Sequence, residues 1–295
     1  MQDRSGVADE PVGNRLDREI SELADGETGG SVAPAVTRAA IILDLLAEDP
    51  LMPAGPSELS RRLGLPKSSI ANICAALSDA GLVRRAGSGF ALGRKLAELG
   101  GAYLASIDEV QEFYEACEAL ETASLETMQL AVLDGLHVVY IARHDGRQTI
   151  RLASEIGRNL PASCTAIGKA ALAALDPADL DERLRAVDTL PRLTPNSHRT
   201  VAQLRADLDE VRLRGYAVDN EETAEGIVCY GVAIPRRTAA GSQYGASVTL
   251  LKARATEGRR EALVEDLGRL RDTLANPLLT RAATEARMHL ADGRR

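Results

Sequence analysis

Lys67, Ser68, Ser69, Ala71 and Asn72 stand together in a short run of small and polar residues. At the start of an exposed helix these types could read base edges. Lysine donates to guanine acceptors, asparagine matches adenine, and serine hydroxyls donate or accept at several bases. Arg61 and Arg62 precede the run and Arg84 and Arg85 follow it. Arg61 and Arg62 suit phosphate oxygens, and Arg84 and Arg85 suit the DNA backbone or minor groove. The net charge of −8 over 295 residues argues against a polyanionic partner until its distribution is seen. Residues 1–33 hold eight acidic against three basic residues, whereas residues 58–95 hold seven basic against two acidic. One basic segment suffices to neutralise phosphates. The expected partner is double-stranded DNA.

Other chemistry is thinly supplied. Cys74, Cys117, Cys164 and Cys229 form no Cys-x-x-Cys pair, and His137, His144, His198 and His289 are scattered. No disulfide framework or metal site follows from such spacing, and no cofactor is expected. No apolar run approaches the roughly 18 residues that span a bilayer. The first residues carry no apolar leader core, so a cytoplasmic protein without a membrane partner is expected.

The elements that must position the basic run are marked in the sequence. Residues 1–33 are acidic and aperiodic, the composition of a disordered tail. From Pro34, the residues Val36, Ala39, Ala40, Leu43, Leu46 and Ala47 recur at helical spacing and predict a helix over 34–48. Ser57 offers an N-cap for a helix over 58–63 with Leu59 and Leu63 inward. Gly64 ends it, and Leu65-Pro66 forces a non-helical step. A second helix over 67–80 presents Ile70, Ile73, Cys74 and Leu77 to a core. Two short helices joined by such a step form a helix-turn-helix. Two short runs, 82–85 and 90–92, flank a Gly-rich turn and predict a hairpin, the wing of a winged helix. A linker helix follows over 95–107, with Leu96, Leu99, Tyr103 and Leu104 on its apolar face.

The remainder predicts an α+β fold with a largely antiparallel sheet. Helices are expected over 109–126, 164–175, 177–187, 201–213 and 257–275, the last with Leu263, Leu267 and Leu270 inward. Strands are expected over 128–133, 137–144, 149–154, 216–219, 227–235 and 244–251, with a hairpin turn at Asp134-Gly135. The resulting domains are a winged helix-turn-helix over 34–94, the linker helix, a second domain over 108–276, and tails over 1–33 and 277–295.

Longer motifs point to a family. Arg38-Ala39-Ala40, Ser57-Glu58-Leu59, Gly64-Leu65-Pro66-Lys67-Ser68-Ser69 and Leu92-Gly93 make segment 34–104 similar to the winged helix of the IclR family of bacterial transcription regulators. The second domain resembles the family's effector domain in three stretches. They are the run from Pro161 through Ser163-Cys164-Thr165-Ala166-Ile167-Gly168-Lys169-Ala170, the run Asp219-Asn220-Glu221-Glu222 with Gly226-Ile227-Val228-Cys229 and Pro235, and Gly245-Ala246-Ser247-Val248-Thr249. The resemblance spans about residues 34–275.

It implies a GAF-like effector domain with a pocket on one sheet face for a small organic acid or aromatic catabolite. Thr165, Ala166, Ile167, Asp219, Ile227, Cys229, Ser247 and Thr249 would line that pocket. It also implies a homodimer or homotetramer on an operator, as a repressor rather than an activator. The residues agree chemically. A helix N-terminus favours an anion, and Ser247 and Thr249 share one face of a strand. Asp219 would repel a second negative charge and favours a ligand bearing a hydroxyl or hydrate donor. Ser163 departs from the family, where histidine is common. The alternative is a cysteine-dependent enzyme using Cys164 or Cys229, with a vestigial helix-turn-helix. It lacks a histidine within either motif to serve as base.

Overall fold

The structure is a computed structural model and describes residues 33–147, 155–238 and 241–276. The expected tails over 1–33 (apart from Ala33) and 277–295, and the strand over 149–154, lie outside the described residues. The chain divides into two compact units between Ser106 and Ile107.

The first unit contains α1 (Pro34–Glu48), α2 (Pro56–Leu63), α3 (Lys67–Asp79), the hairpin β1 (Val83–Ala86) and β2 (Gly89–Leu92), and α4 (Lys95–Ala105). Helix α2 starts at Pro56 with Gly55 as its N-cap, ahead of the expected Ser57 cap. Proline suits the first helical position, because its fixed φ fits the helix and its missing N–H would be unpaired there anyway. Gly64 adopts φ 63° and closes α2 in the left-handed conformation. The Ser60 hydroxyl donates to the Leu65 carbonyl at 2.6 Å and holds the step to α3.

The inward face of α1 corrects the sequence reading. Ile41, Ile42, Leu45 and Leu46 are buried, whereas Val36 is 68% exposed and Ala40 and Ala47 face solvent. Apolar residues cover most of this helix, so their period gave the spacing but not the rotation. The core joins these four to Leu59, Leu63, Ile70, Cys74, Leu77, Val83 and Phe90. Gly89 lets the wing approach the loop before α2, where Ala54 and Phe90 exchange backbone hydrogen bonds. A Cβ at Gly89 would stand 2.8 Å from the Ala54 oxygen.

The second unit begins with α5 (Asp108–Glu118). This helix is shorter than the expected 109–126. The buried Asp266 carboxylate accepts from the N–H groups of Thr122 and Ala123, and a 3-10 turn follows at Ala123–Leu125. The six-stranded sheet has the order β5-β4-β3-β8-β7-β6, with every neighbour antiparallel. Its strands are β3 (Thr127–Asp134), β4 (His137–His144), β5 (Asn159–Pro161), β6 (Ala217–Asn220), β7 (Ile227–Ile234) and β8 (Tyr244–Leu251). The hairpin turn centres on Gly135-Leu136, one residue beyond the expected position, with Gly135 at φ 59°.

Helix α9 (Glu257–Ala275) packs with α5 on one sheet face. Helix α6 (Ala166–Ala173) packs on the other, backed by α8 (Val201–Arg214). A short helix, α7 (Pro177–Leu184), contributes Leu180 and Leu184 to the same core. Alternation along each strand divides the residues between the faces. Met128, Leu130, Tyr230, Val232, Val248 and Leu250 share one face, and Thr127, Gln129, Asp219, Cys229, Ser247 and Thr249 share the other.

Candidate effector pocket and DNA-reading helix

The polar face is built by register. Thr127, Thr249, Cys229 and Asp219 lie in one cross-strand row, and Gln129, Ser247, Gly231 and Ala217 lie in the next. Gly231 is the opening in this surface. A Cβ there would stand 2.6 Å from the Ala166 carbonyl carbon, so only glycine lets the N-terminus of α6 settle against the sheet. Gly231→Ala is therefore expected to displace α6 and destabilise the unit by about 1–3 kcal/mol, the usual cost of overpacking, read as a lowered thermal midpoint.

Thr165 caps α6, its hydroxyl accepting from the Gly168 N–H at 2.9 Å. The N–H groups of Ala166 and Ile167 precede the intrahelical ladder. A small pocket lies between this helix end and the strands, with an enclosed volume of about 30 Å³. All eight residues named from the resemblance line it: Thr165, Ala166, Ile167, Asp219, Ile227, Cys229, Ser247 and Thr249.

Four further residues complete the lining: Gln129, Tyr140, Thr223 and Ala224. Gln129 was detectable as a polar residue inside an otherwise apolar strand. Tyr140 was hidden by a bulge. The β3–β4 register shifts between Leu130 and Ala131, which brings Tyr140 opposite Ala131 and onto the pocket face. Thr223 is placed by the turn after β6. The Asp219 carboxylate accepts from the Glu222 N–H at 2.7 Å, the Thr223 N–H at 3.2 Å and the Thr223 hydroxyl at 2.6 Å. Burial raises the Asp219 pKa, and these three bonds oppose the rise. Much of its carboxylate is thus engaged in shaping the wall.

The cysteines are poorly placed for nucleophilic chemistry. Burial pushes the Cys229 thiol well up, and the Asp219 charge pushes it further. Burial also raises Cys164. Both favour the thiol over the reactive thiolate.

In the first unit, Ser68, Ala71 and Asn72 form an exposed stripe on α3 beside exposed Lys67, with Ser69 half-buried. Pro66 is the N-cap of α3, which begins at Lys67. Arg61 is exposed, but Arg62 forms a two-pronged pair with Glu48 of α1, at 2.7 and 3.1 Å. Arg84 and Arg85, expected to act together, point to opposite faces of the ribbon. Arg85 shares the Phe90 face, with its guanidinium 5.3 Å from the ring centroid, and Arg84 pairs opposite Ala91.

Comparison with known proteins agrees with both halves. Residues 35–87 match the IclR helix-turn-helix domain, and residues 101–274 match the C-terminal domain of bacterial transcriptional regulator IclR. The HTH-type transcriptional regulator KdgR of Dickeya chrysanthemi is 32% identical over 214 residues, 72% of this chain and 69% of that protein. The crystal structure of Thermotoga maritima IclR superposes with a TM-score of 0.60 at 28% identity, over 82% of this chain and 99% of that one. The Agobacterium tumefaciens repressor BlcR gives 0.52 at 30% identity, over 83% and 97%. With both domain types in order and the second alone spanning more than half its length, the chain belongs to the IclR family of helix-turn-helix transcriptional regulators.

Proposed function

We propose that this regulator represses transcription from its operator and responds to a small hydroxylated or hydrated organic acid in the pocket. The observation that carries this reading is the pocket's chemistry. Among the described residues, its lining offers the α6 N-terminus and the side chains of Gln129, Tyr140, Ser247 and Thr249, with no lysine, arginine or histidine. An anion would be held by backbone N–H groups and the helix field, and its hydroxyl would face Asp219. Repression is favoured by the relative named a repressor. The thiol forms of Cys164 and Cys229 favour a regulator without enzymatic turnover. The protein acts in the cytoplasm; among the described residues no helix is long and apolar enough to cross a membrane.

Lys67, Ser68, Ser69, Ala71 and Asn72 would enter the major groove, as the second helix of this motif does. Arg61 and Arg84 would take phosphates, Arg85 would brace the wing through Phe90, and Arg62 would act chiefly through Glu48. Apolar groups exposed on α1 and α4, including Val36 at 68% and Leu99 and Tyr103 at 51% each, favour a second copy of the chain as partner. The ligand regulates only if its affinity differs between two conformations of the assembly.

The test is DNA-binding anisotropy with added hydroxy- and keto-acids, on the native protein and on Ser247→Ala/Thr249→Val. An acid that shifts native DNA affinity is expected to shift the variant's much less, with DNA affinity alone unchanged. An equal response in both proteins sinks the pocket assignment.

A further inference from the structure

Behind the pocket, on the outer side of the turn at residues 219–223, the fold assembles a group that the sequence spacing conceals. His198, Asp207 of α8 and Glu222 of the turn bring three ligand atoms within 4.8 Å of one another. They open onto a groove between α8 and strand β6, also lined by Glu210 and Arg214. We propose that His198 Nε2, Asp207 Oδ2 and Glu222 Oε2 bind a divalent zinc ion, with water completing the coordination from the groove.

Geometry is the first argument. Ligands about 2.1 Å from a tetrahedral zinc lie about 3.4 Å apart. His198 Nε2 stands 3.1 Å from Asp207 Oδ2 and 3.9 Å from Glu222 Oε2. Small side-chain adjustments place an ion between them.

The second argument is an orphaned atom. Glu222 is 6% exposed, and its Oε2 has no hydrogen-bond partner, although it lies beside the imidazole. A buried carboxylate oxygen without a partner is costly, and a cation beside His198 would satisfy it.

The surrounding shell is in place. Lys169, fully buried, takes the other Glu222 oxygen at 2.5 Å and also reaches Asp207 Oδ2 at 2.8 Å. Arg214 holds Asp207 Oδ1 at 3.3 Å, and the Ser197 hydroxyl fixes the Glu222 carbonyl at 2.7 Å. Such partners orient ligands before the metal arrives. Charge remains favourable despite the lysine. Asp207, Glu210, Glu222 and nearby Asp219 outnumber Lys169 and Arg214, and they still do with Asp219 protonated. His198 and Asp207 are 22% and 18% exposed, which leaves a route from solvent. The ion would tie α8 to the turn whose Glu222 N–H holds Asp219, and so brace one wall of the pocket.

The test titrates zinc into the chelator-stripped full-length protein by competition with a chromophoric chelator, and repeats the titration with cobalt(II) while recording its absorption. One high-affinity ion per chain is expected, with the cobalt bands of nitrogen and oxygen ligation. His198→Ala, at a part-exposed position, is expected to weaken binding by about 100-fold or more, in the range of damage to a metal site, with the fold checked by circular dichroism. His144→Ala is expected to leave it unchanged. Zinc affinity indifferent to His198→Ala, thiolate charge-transfer absorption from cobalt, or no binding at micromolar zinc would each overturn the proposal.

Discussion

Lys169→Met is expected to destabilise the second unit by about 3–5 kcal/mol at neutral pH, because removing the cation leaves two like charges largely buried. Methionine preserves most of the volume, so the loss is electrostatic. The lysine is fully buried on α6 and holds Glu222 and Asp207 together. Without it two carboxylates face each other in a poorly solvated space.

The pH dependence follows from the two acids. Burial alone would raise the Asp207 pKa, but the His198 hydrogen bond, the Lys169 charge and hydrogen bond, and the Arg214 charge together hold it well below the usual range. Its stabilisation is therefore complete above the ordinary carboxylate pKa near 4 and is lost as pH falls through the lower folded value. Glu222 shifts the other way, raised by burial against the pull of Lys169. Its contribution weakens as pH rises from its ordinary value through the raised one. In the metal-free variant Glu222 loses its cation and Asp207 keeps only Arg214, so the stability gap should be widest near pH 7 and narrow towards pH 4 as they protonate. Urea unfolding of both proteins across that range measures it. A gap under about 1 kcal/mol at pH 7, the scale of a surface pair, would show that Lys169 does not hold the two acids together.

Asn72→Ala is expected to cost about 1–3 kcal/mol of operator affinity, the worth of one good base contact. The side chain is exposed on α3, beside the small and equally exposed Ala71. The loss should fall on the preferred sequence and relax discrimination at one base position of each half-site. Arg61→Ala should behave differently. Its loss should be similar on all sequences and should reduce the salt dependence by about one unit of slope, as for a phosphate contact. Arg62→Ala should weaken DNA binding less than Arg61→Ala, because Glu48 holds that guanidinium. Equal affinities of the native and Asn72→Ala proteins for the selected operator would remove Asn72 from base reading.

Local signals carried much of this protein. Pro, Gly and hydrophobic period marked the helix-turn-helix, the wing and most strands, because those elements are specified by neighbours in sequence. Long-range partners were invisible. Asp266 ends the helical run near residue 120 from more than 140 positions away. The bulge that turns Tyr140 to the pocket depends on pairing with β3, not on the composition of β4. His198 gave no sign of its carboxylate neighbours, which come from α8 and from the turn after β6. The eight pocket residues were named through family motifs, and the physical reason they meet is the register of β6, β7 and β8 beneath a helix admitted by Gly231.

The most direct test of the regulator is selection of duplexes from a random pool by the purified protein at low salt, followed by anisotropy on the enriched sequence and a scrambled control. An enriched sequence with two related half-sites is expected, bound in preference to the control and released steeply by salt. Failure of any sequence to enrich, with equal weak binding to both duplexes, would contradict sequence-specific reading by the helix at Lys67–Asp79.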